Sequence, residues 1–341
     1  MEKQTLETKK IVHNNISYLQ YDLAKDQANT SFFDISDINT IKDLRQEGLQ
    51  EMHFLNLYSI FWFYSGAGTH IVDFDEYEIG QGTVFFLSPK RIRAYRNLSN
   101  VEGVAMCFPE DFLLKIDNEL QGRIKTKMFY PANGFAHCKI SEAAKEKMMP
   151  IVKLMQEASA LQYEDKSLQA SYFASLLSLL LIDMIRLGEW GDSSFSNVSS
   201  DSFQVYAKFV QMVEDYYIEH HAVKDYIEKL GVSQTTLNQY TQQYAKTTPL
   251  KIINNRIILE AKRLLRYSTT RTKQIAFYLG FKDDSYFIKL FKRNVGMSPV
   301  EFRQKRNSRP RSLGNGYEER PPEVKSALPL GPGGLIVFLI N

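Results

Sequence analysis

One design occurs twice between residues 203 and 306, and it constrains this chain more than any other feature. The first copy is Asp225-Tyr226-Ile227-Glu228-Lys229-Leu230-Gly231-Val232-Ser233, followed by Gln234-Thr235-Thr236-Leu237-Asn238-Gln239-Tyr240. The second is Lys273-Gln274-Ile275-Ala276-Phe277-Tyr278-Leu279-Gly280-Phe281, followed by Lys282-Asp283-Asp284-Ser285-Tyr286-Phe287-Ile288-Lys289-Leu290-Phe291. Each copy reads as a short helix, a Leu-Gly end, one apolar residue, a polar cap and a second helix. Gly231 and Gly280 supply the positive φ that ends a helix and turns the chain sharply. Val232 and Phe281 fill the angle between the helices. Ser233 is the expected N-cap of one second helix, and Asp283 or Asp284 of the other. Leu237 and Tyr240, like Phe287, Leu290 and Phe291, face inward and leave the opposite face free. A helix mounted this way fits the B-DNA major groove, about 12 Å wide.

Between the copies, Leu250 to Tyr267 carries Ile253, Ile257, Ala261, Leu264 and Leu265 on one continuous apolar face. A helix here, roughly 25 Å long at 1.5 Å per residue, would hold the two second helices about one DNA turn apart, roughly 34 Å. Charge points the same way. The chain's net charge is only +3, but residues 205–306 hold 18 Lys and Arg against 9 Asp and Glu, while residues 1–204 hold 20 against 27. A basic half of this kind suits a polyanionic partner, although a basic solvated face is the commoner cause of such an excess.

Residues 223–306 resemble the DNA-binding domain of the AraC/XylS family of transcription regulators. The resemblance rests on Arg256, Leu259, Ala261, Leu264 and Leu265, then Ile275-Ala276 with Leu279-Gly280-Phe281. It continues through Asp284-Ser285-Tyr286-Phe287, Phe291-Lys292-Arg293, Gly296-Met297-Ser298-Pro299 and Phe302-Arg303. Carried over by position, it implies base-reading places at Thr235, Asn238 and Gln239 in the first unit and at Ser285, Tyr286 and Lys289 in the second. Asn and Gln can pair with adenine, and Lys can donate to guanine. Arg271, Lys292 and Arg293 are better placed for phosphates. The resemblance also implies promoter DNA and RNA polymerase as partners. The first unit departs from the family pattern at Ile227, Gln239 and Thr241-Gln242, where a small Ala, an Arg and Phe-Lys are frequent. The second unit is therefore expected to supply more of the electrostatics.

From about Phe32 to Phe108 the pattern is strand-like. Leu55 to Tyr64 is aromatic and β-branched and is expected to end at Ser65-Gly66-Ala67-Gly68. His70 to Phe74, Tyr77 to Ile79 and Thr83 to Leu87 follow, with Gly/Pro punctuation, which suggests a small barrel or sandwich. The family resemblance implies a cupin-like sensor here. Ser141–Leu161 and Asp165–Leu187 read as helices, the second with an apolar stripe from Phe173 to Met184. That stripe serves either packing on its own domain or the seam of a homodimer. The expected fold is thus two-domain: a cupin-like β-barrel with appended helices, then an all-α domain with two helix-turn-helix motifs. Its segments are the sensor barrel (1–140), a helical dimerisation or packing segment (141–188), a Ser/Asn-rich linker (189–202), the DNA-binding domain (203–306), and a Pro/Gly-rich disordered or cloning-derived tail (307–341).

Trp62, Tyr64, Arg91 and Arg93 form a candidate pocket for a small anionic effector, weighed against an ordinary rim cluster and strand core. No metal site is expected, because His53 and His70 lack convergent partners and Lys90, Arg91 and Arg93 stand after Pro89. No cofactor is expected either, and no nucleophile motif, phosphate loop or GxGxxG appears. His220 and His221 are read as capping or solvent-facing residues. Cys107 and Cys138 make no CxxC pair, which suits a reducing compartment. With a polar start at Met1-Glu2-Lys3-Gln4 and no run of ~18 apolar residues, a cytoplasmic location without membrane insertion is expected. Two alternatives remain: a cupin-type metal enzyme with a helical appendage, and a basic helical protein that binds nucleic acid without sequence preference.

Overall fold

The computed structural model describes residues 7–13, 16–22, 33–39, 54–131, 136–161, 163–190 and 201–305. The tail expected over 307–341 and most of the expected linker lie outside these residues. The N-terminal part contains strands β1 (Glu7–His13), β2 (Ile16–Asp22), β3 (Asp34–Asp37), β4 (Phe54–Leu55), β5 (Tyr58–Val72), β6 (Asp75–Ile79), β7 (Thr83–Leu87), β8 (Arg93–Phe108), β9 (His137–Lys139) and β10 (Glu189–Trp190). β1, β2 and β4 make a small sheet. The main sheet runs β10-β9-β7-β5-β8-β3, with β6 paired to β5. This path has β10 and β3 at its edges and is open, so the described residues do not close the expected cupin-like barrel.

Two long strands dominate where several short ones were expected. β5 does not stop at Ser65-Gly66-Ala67-Gly68. It runs on to Val72, with register shifts against β8 between Phe63 and Thr69. Bulges of this kind bend a strand and raise its twist without ending it. Gly66 sits at φ 94°, and a Cβ there would lie 2.5 Å from the carbonyl oxygen of Asn100, which accounts for glycine at that point.

Strand alternation divides the core into two layers. Ile60, Trp62, Val84, Phe86, Val104 and Met106 face a helical layer, while Phe61, Phe63, Phe85, Tyr95, Val101 and Ala105 form a cluster on the opposite face. The helical layer begins with α1 (Glu110–Leu114) and α2 (Asn118–Ile124), which runs into a π-helical turn (Lys125–Phe129). It continues with α3 (Glu142–Ala160), capped by Ser141, and α4 (Lys166–Leu187), capped by Asp165. By length and composition α4 could cross a membrane: a window within Ser167–Leu187 reaches a mean hydropathy of 1.6. Here Phe173, Leu177, Leu180, Leu181 and Met184 pack into the sheet core, so much of its apolar stripe is used within the chain. Leu168 and Leu179 on the same helix are exposed. Glu189 and Trp190, expected in the linker, pair instead with Lys139 and Cys138.

The C-terminal part is helical: α5 (Asp201–Tyr216), α6 (Val223–Leu230), α7 (Gln234–Ala245), α8 (Pro249–Tyr267), α9 (Thr272–Tyr278), α10 (Asp284–Val295) and α11 (Pro299–Gln304). Its core gathers Phe203, Phe209 and Val213 of α5 with Leu237, Ile253, Ile257, Ala261, Leu265, Phe287, Leu290 and Phe291. The four α8 residues in this set recur every four positions, so one stripe of the connecting helix holds both halves together. Each Ile or Leu buried there contributes about 1.5–3 kcal/mol.

Candidate nucleic-acid interface

Each helix-turn-helix unit is built from its glycine outward. In the first, α6 ends at Gly231 with φ 67° and ψ 29°, and the Gly231 amide donates to the Ile227 carbonyl at 2.9 Å. Val232 is half-buried in the angle, and the Ser233 hydroxyl accepts the Thr236 amide at 3.0 Å to start α7. In the second, α9 leads to Gly280 at φ 82°, and the Phe281 amide returns to the Ala276 carbonyl at 3.0 Å. Phe281 is buried, and Asp283 rather than Asp284 caps α10 by accepting the Ser285 amide at 3.0 Å. That backbone hydrogen bond is the main reason the Asp283 carboxyl sits below its ordinary range. α8 spans 19 residues, about 28 Å at 1.5 Å per residue, and starts at Thr248, whose hydroxyl accepts the Lys251 amide.

The connection that leads into the first unit also touches the second, which the sequence did not indicate. A Cβ on Gly280 would fall 1.9 Å from the Ile218 carbonyl oxygen, so the chain between α5 and α6 lies against the second unit's turn. The His221 ring lies tilted against Phe281 with centroids 4.5 Å apart. It is half-buried beneath the second unit rather than facing solvent, and burial lowers its pKa.

Thr235, Asn238 and Gln239 are exposed on the N-terminal half of α7. Ser285, Tyr286 and Lys289 are exposed on the corresponding part of α10. Leu237 and Phe287, interleaved with them, are fully buried. Arg271, Lys292 and Arg293 are exposed as well, the last two in the final turn of α10, where cations complement the helix dipole. α7 itself carries no acidic or basic side chain.

The four residues of the candidate effector pocket do not converge. Trp62 and Tyr64, with ring centroids 5.1 Å apart, belong to the sheet face covered by helices. Arg93 is 1% exposed, its guanidinium lies over Phe61 at 5.0 Å on the other face, and its Nη2 reaches Ser59 Oγ at 3.5 Å. Arg91 is committed to Asp73 at 2.9 Å. Arg96 reaches Glu76 at the surface. Among the described residues, no group of three or more His, Cys, Asp or Glu gathers in a metal-binding arrangement.

Sequence reasoning also missed a line of buried and half-buried charge along α8. Arg256 pairs with Glu214 at 2.6 Å and Glu260 at 3.1 Å, and Arg263 pairs with Glu260 at 3.4 Å and with Asp73 of the N-terminal domain at 2.8 Å. Burial alone would raise the Asp73 carboxyl, but Arg263 and then Arg91 outweigh it and hold it below its ordinary range. Its contribution to stability is therefore complete above the unfolded carboxylate value of about 3.9 and lost only as pH falls through the lower folded value. Only a nearest neighbour in space, not in sequence, would have revealed this.

Two groove-sized helices, each exposed along its leading face and fixed by one strut in a basic module, define a DNA-binding regulator of the double helix-turn-helix class. A helix-turn-helix domain family matches residues 226–305. The HTH-type transcriptional activator RhaS of Salmonella arizonae is 25% identical over 247 residues, covering 72% of this chain and 84% of the relative. Among solved structures, ToxT of Vibrio cholerae with a bound unsaturated fatty acid covers 81% of this chain and 96% of its own, at 16% identity and a TM-score of 0.36. A transcriptional regulator of Chromobacterium violaceum with an AraC-type DNA-binding domain covers 30% of this chain and 93% of its own, at 24% identity and a TM-score of 0.28. The chain is thus similar to AraC/XylS-type transcription regulators, through its helix-turn-helix domain and through RhaS.

Proposed function

We propose that this regulator reads two successive major-groove segments of one promoter, one with each second helix. Thr235, Asn238 and Gln239 would meet base edges in the first segment, and Ser285, Tyr286 and Lys289 in the second. Arg271, Lys292 and Arg293 hold the flanking phosphates. The observation that carries this reading is the exposure of all six side chains between fully buried neighbours on the leading halves of α7 and α10. Amide side chains pair bidentately with adenine and Lys donates to guanine, so the first segment is expected to be the richer in A·T pairs. The N-terminal domain is proposed to be a cupin-like sensor that answers to a small molecule or partner. In the same proposal, a second copy meets the exposed Leu168 and Leu179 of α4, and RNA polymerase is recruited at the promoter.

Selection of bound sequences from a random duplex pool, followed by a genome-wide map of occupied sites, tests the reading. Two conserved blocks one turn apart support it, and binding abolished equally by any competitor DNA sinks it. Asn238→Ala is expected to relax preference at one base pair of the first block by about 1–3 kcal/mol, or roughly 5- to 150-fold. Quantitative binding to a panel of single-base variants checks this, and an unchanged preference at every position excludes Asn238 as a reader.

A further inference from the structure

Asp73 occupies the turn between β5 and β6 at φ 55°, a left-handed conformation that aspartate tolerates. Its amide donates to the Ile92 carbonyl at 2.7 Å, and its carboxylate accepts Arg91 Nη1 at 2.9 Å, which anchors the turn within its own domain. The same carboxylate accepts Arg263 Nε at 2.8 Å and Nη2 at 2.9 Å from the connecting helix, 190 residues further on. This is the fork-on-carboxylate geometry that guanidinium makes best. The side chains of Asp73 and Arg263 are only 4% and 9% exposed. Arg263 continues through Glu260 and Arg256 to Glu214, so six charges, three buried and three half-buried, alternate in sign and sum to zero. Among the described ion pairs, Asp73–Arg263 alone crosses between the domains.

The domains also meet where α2 and the π-helical turn pack on α5, with Gly122 close to Ala207 and Tyr130 against both cores, but the connecting helix α8 is tied to the N-terminal domain at Asp73. A cavity of about 290 Å³ lies beside it, lined by residues of both domains including Val72, Arg91, Tyr130, Val213, Leu259 and Lys262. Close apolar packing does not seal the boundary there, although Phe74 meets Phe302 edge-on with centroids 5.8 Å apart. Parting two buried ions requires water to enter between them, so such a link is either closed or open, with little in between.

We infer that Asp73 and Arg263 are positioning residues, a clamp that holds the acidic N-terminal domain against the basic DNA-binding domain and restrains its engagement of DNA. The inference rests on the DNA-reading function proposed above and concerns its regulation. A state of the N-terminal domain that withdraws the Asp73 turn frees α8. The acidic domain then no longer rides beside the polyanion site, and affinity rises through the electrostatic contribution that dominates such binding.

The test compares the full-length chain with Arg263→Gln, Asp73→Asn and the double variant, by hydrogen exchange and by binding to a selected promoter duplex. Arg263→Gln leaves Asp73 with Arg91 and Arg256 with its two glutamates, so each domain keeps its other internal pairs and only the 3.4 Å Arg263–Glu260 pair within α8 is lost besides the clamp. Exchange at residues 72–76 is expected to rise at least tenfold while α7 and α10 stay protected, and DNA affinity is expected to rise at least fivefold. The double variant should do no more than the larger single effect. Unchanged exchange at the turn, an affinity that stays within twofold or falls, or effects of the two singles that multiply would overturn the clamp. Should Arg263→Gln loosen the whole chain, Arg263→Lys, which keeps the charge but not the fork, is read by the same criteria with smaller expected changes. If the unaltered chain shows no sequence preference in DNA binding, the DNA-reading proposal fails, while the exchange measurements still decide whether the clamp exists.

Discussion

Gly280→Ala is expected to destroy specific DNA binding, by more than 100-fold, whereas Gly231→Ala should leave most of it. Both glycines hold left-handed conformations, at φ 82° and 67°, so alanine incurs a backbone penalty of about 1–2 kcal/mol at either position. Space separates them. At Gly231 an added Cβ meets nothing within 4 Å, but at Gly280 it would stand 1.9 Å from the Ile218 carbonyl oxygen. That atom belongs to backbone and cannot rotate away, so the turn or the α5–α6 connection must shift by more than 1 Å. The second unit then loses its register with the first. Total destabilisation of about 4 kcal/mol or more falls in the exceptional range for a single substitution. For a domain of this size, each kcal/mol lowers the melting temperature by about 4–8 °C. Thermal unfolding of the two variants, with binding measured at a temperature where both are folded, gives the comparison. Equal losses at the two glycines would show that the contact between the α5–α6 connection and the second unit does not matter.

That contrast also marks where sequence and structure part. Both glycines announce themselves in the sequence, because a Leu-Gly end followed by one apolar residue and a polar cap has few other uses. Ser233 as a cap and Leu237 and Phe287 as inward anchors follow from spacing alone and are found in those roles. The crowding at Gly280 does not follow, since Ile218 lies 62 residues upstream and nothing local points to it. The Asp73–Arg263 pair is hidden for the same reason at three times the separation. The N-terminal domain was harder still. Ser65-Gly66-Ala67-Gly68 has the composition of a turn, yet β5 runs through it, because cross-strand hydrogen bonds to β8 absorb the extra residues as bulges. The candidate effector pocket failed on geometry. Trp62 and Tyr64 share the helix-covered face of the sheet, Arg93 begins β8 with its guanidinium over Phe61 on the other face, and Arg91 precedes β8 and pairs with Asp73, so proximity in sequence sent the members to three different places.

The charge difference between the two reading helices leads to the second large effect. Gln234 to Ala245 contains only amide, hydroxyl and apolar side chains, while α10 exposes Lys289, Lys292 and Arg293. Each cation that neutralises a phosphate releases condensed counterions and steepens the fall of log K with log salt by about 0.9. Replacing these three with alanine should therefore reduce the slope by up to about 2.7 and weaken binding by about 10²–10³-fold near 0.1 M salt. The helix itself should survive, since losing a cation from an exposed last turn costs only about 0.3–1 kcal/mol. Asn238→Ala combined with Gln239→Ala should behave in the opposite way, leaving the slope where it was while blunting discrimination in the first segment. On this expectation the neutral helix would supply discrimination and the charged one most of the grip. Titrations by fluorescence anisotropy across a salt series, on one duplex and its scrambled counterpart, separate the two behaviours. If both sets of substitutions lowered the slope alike, α7 would owe its hold on DNA to cations elsewhere in the module, and the division of labour between the two units would be wrong.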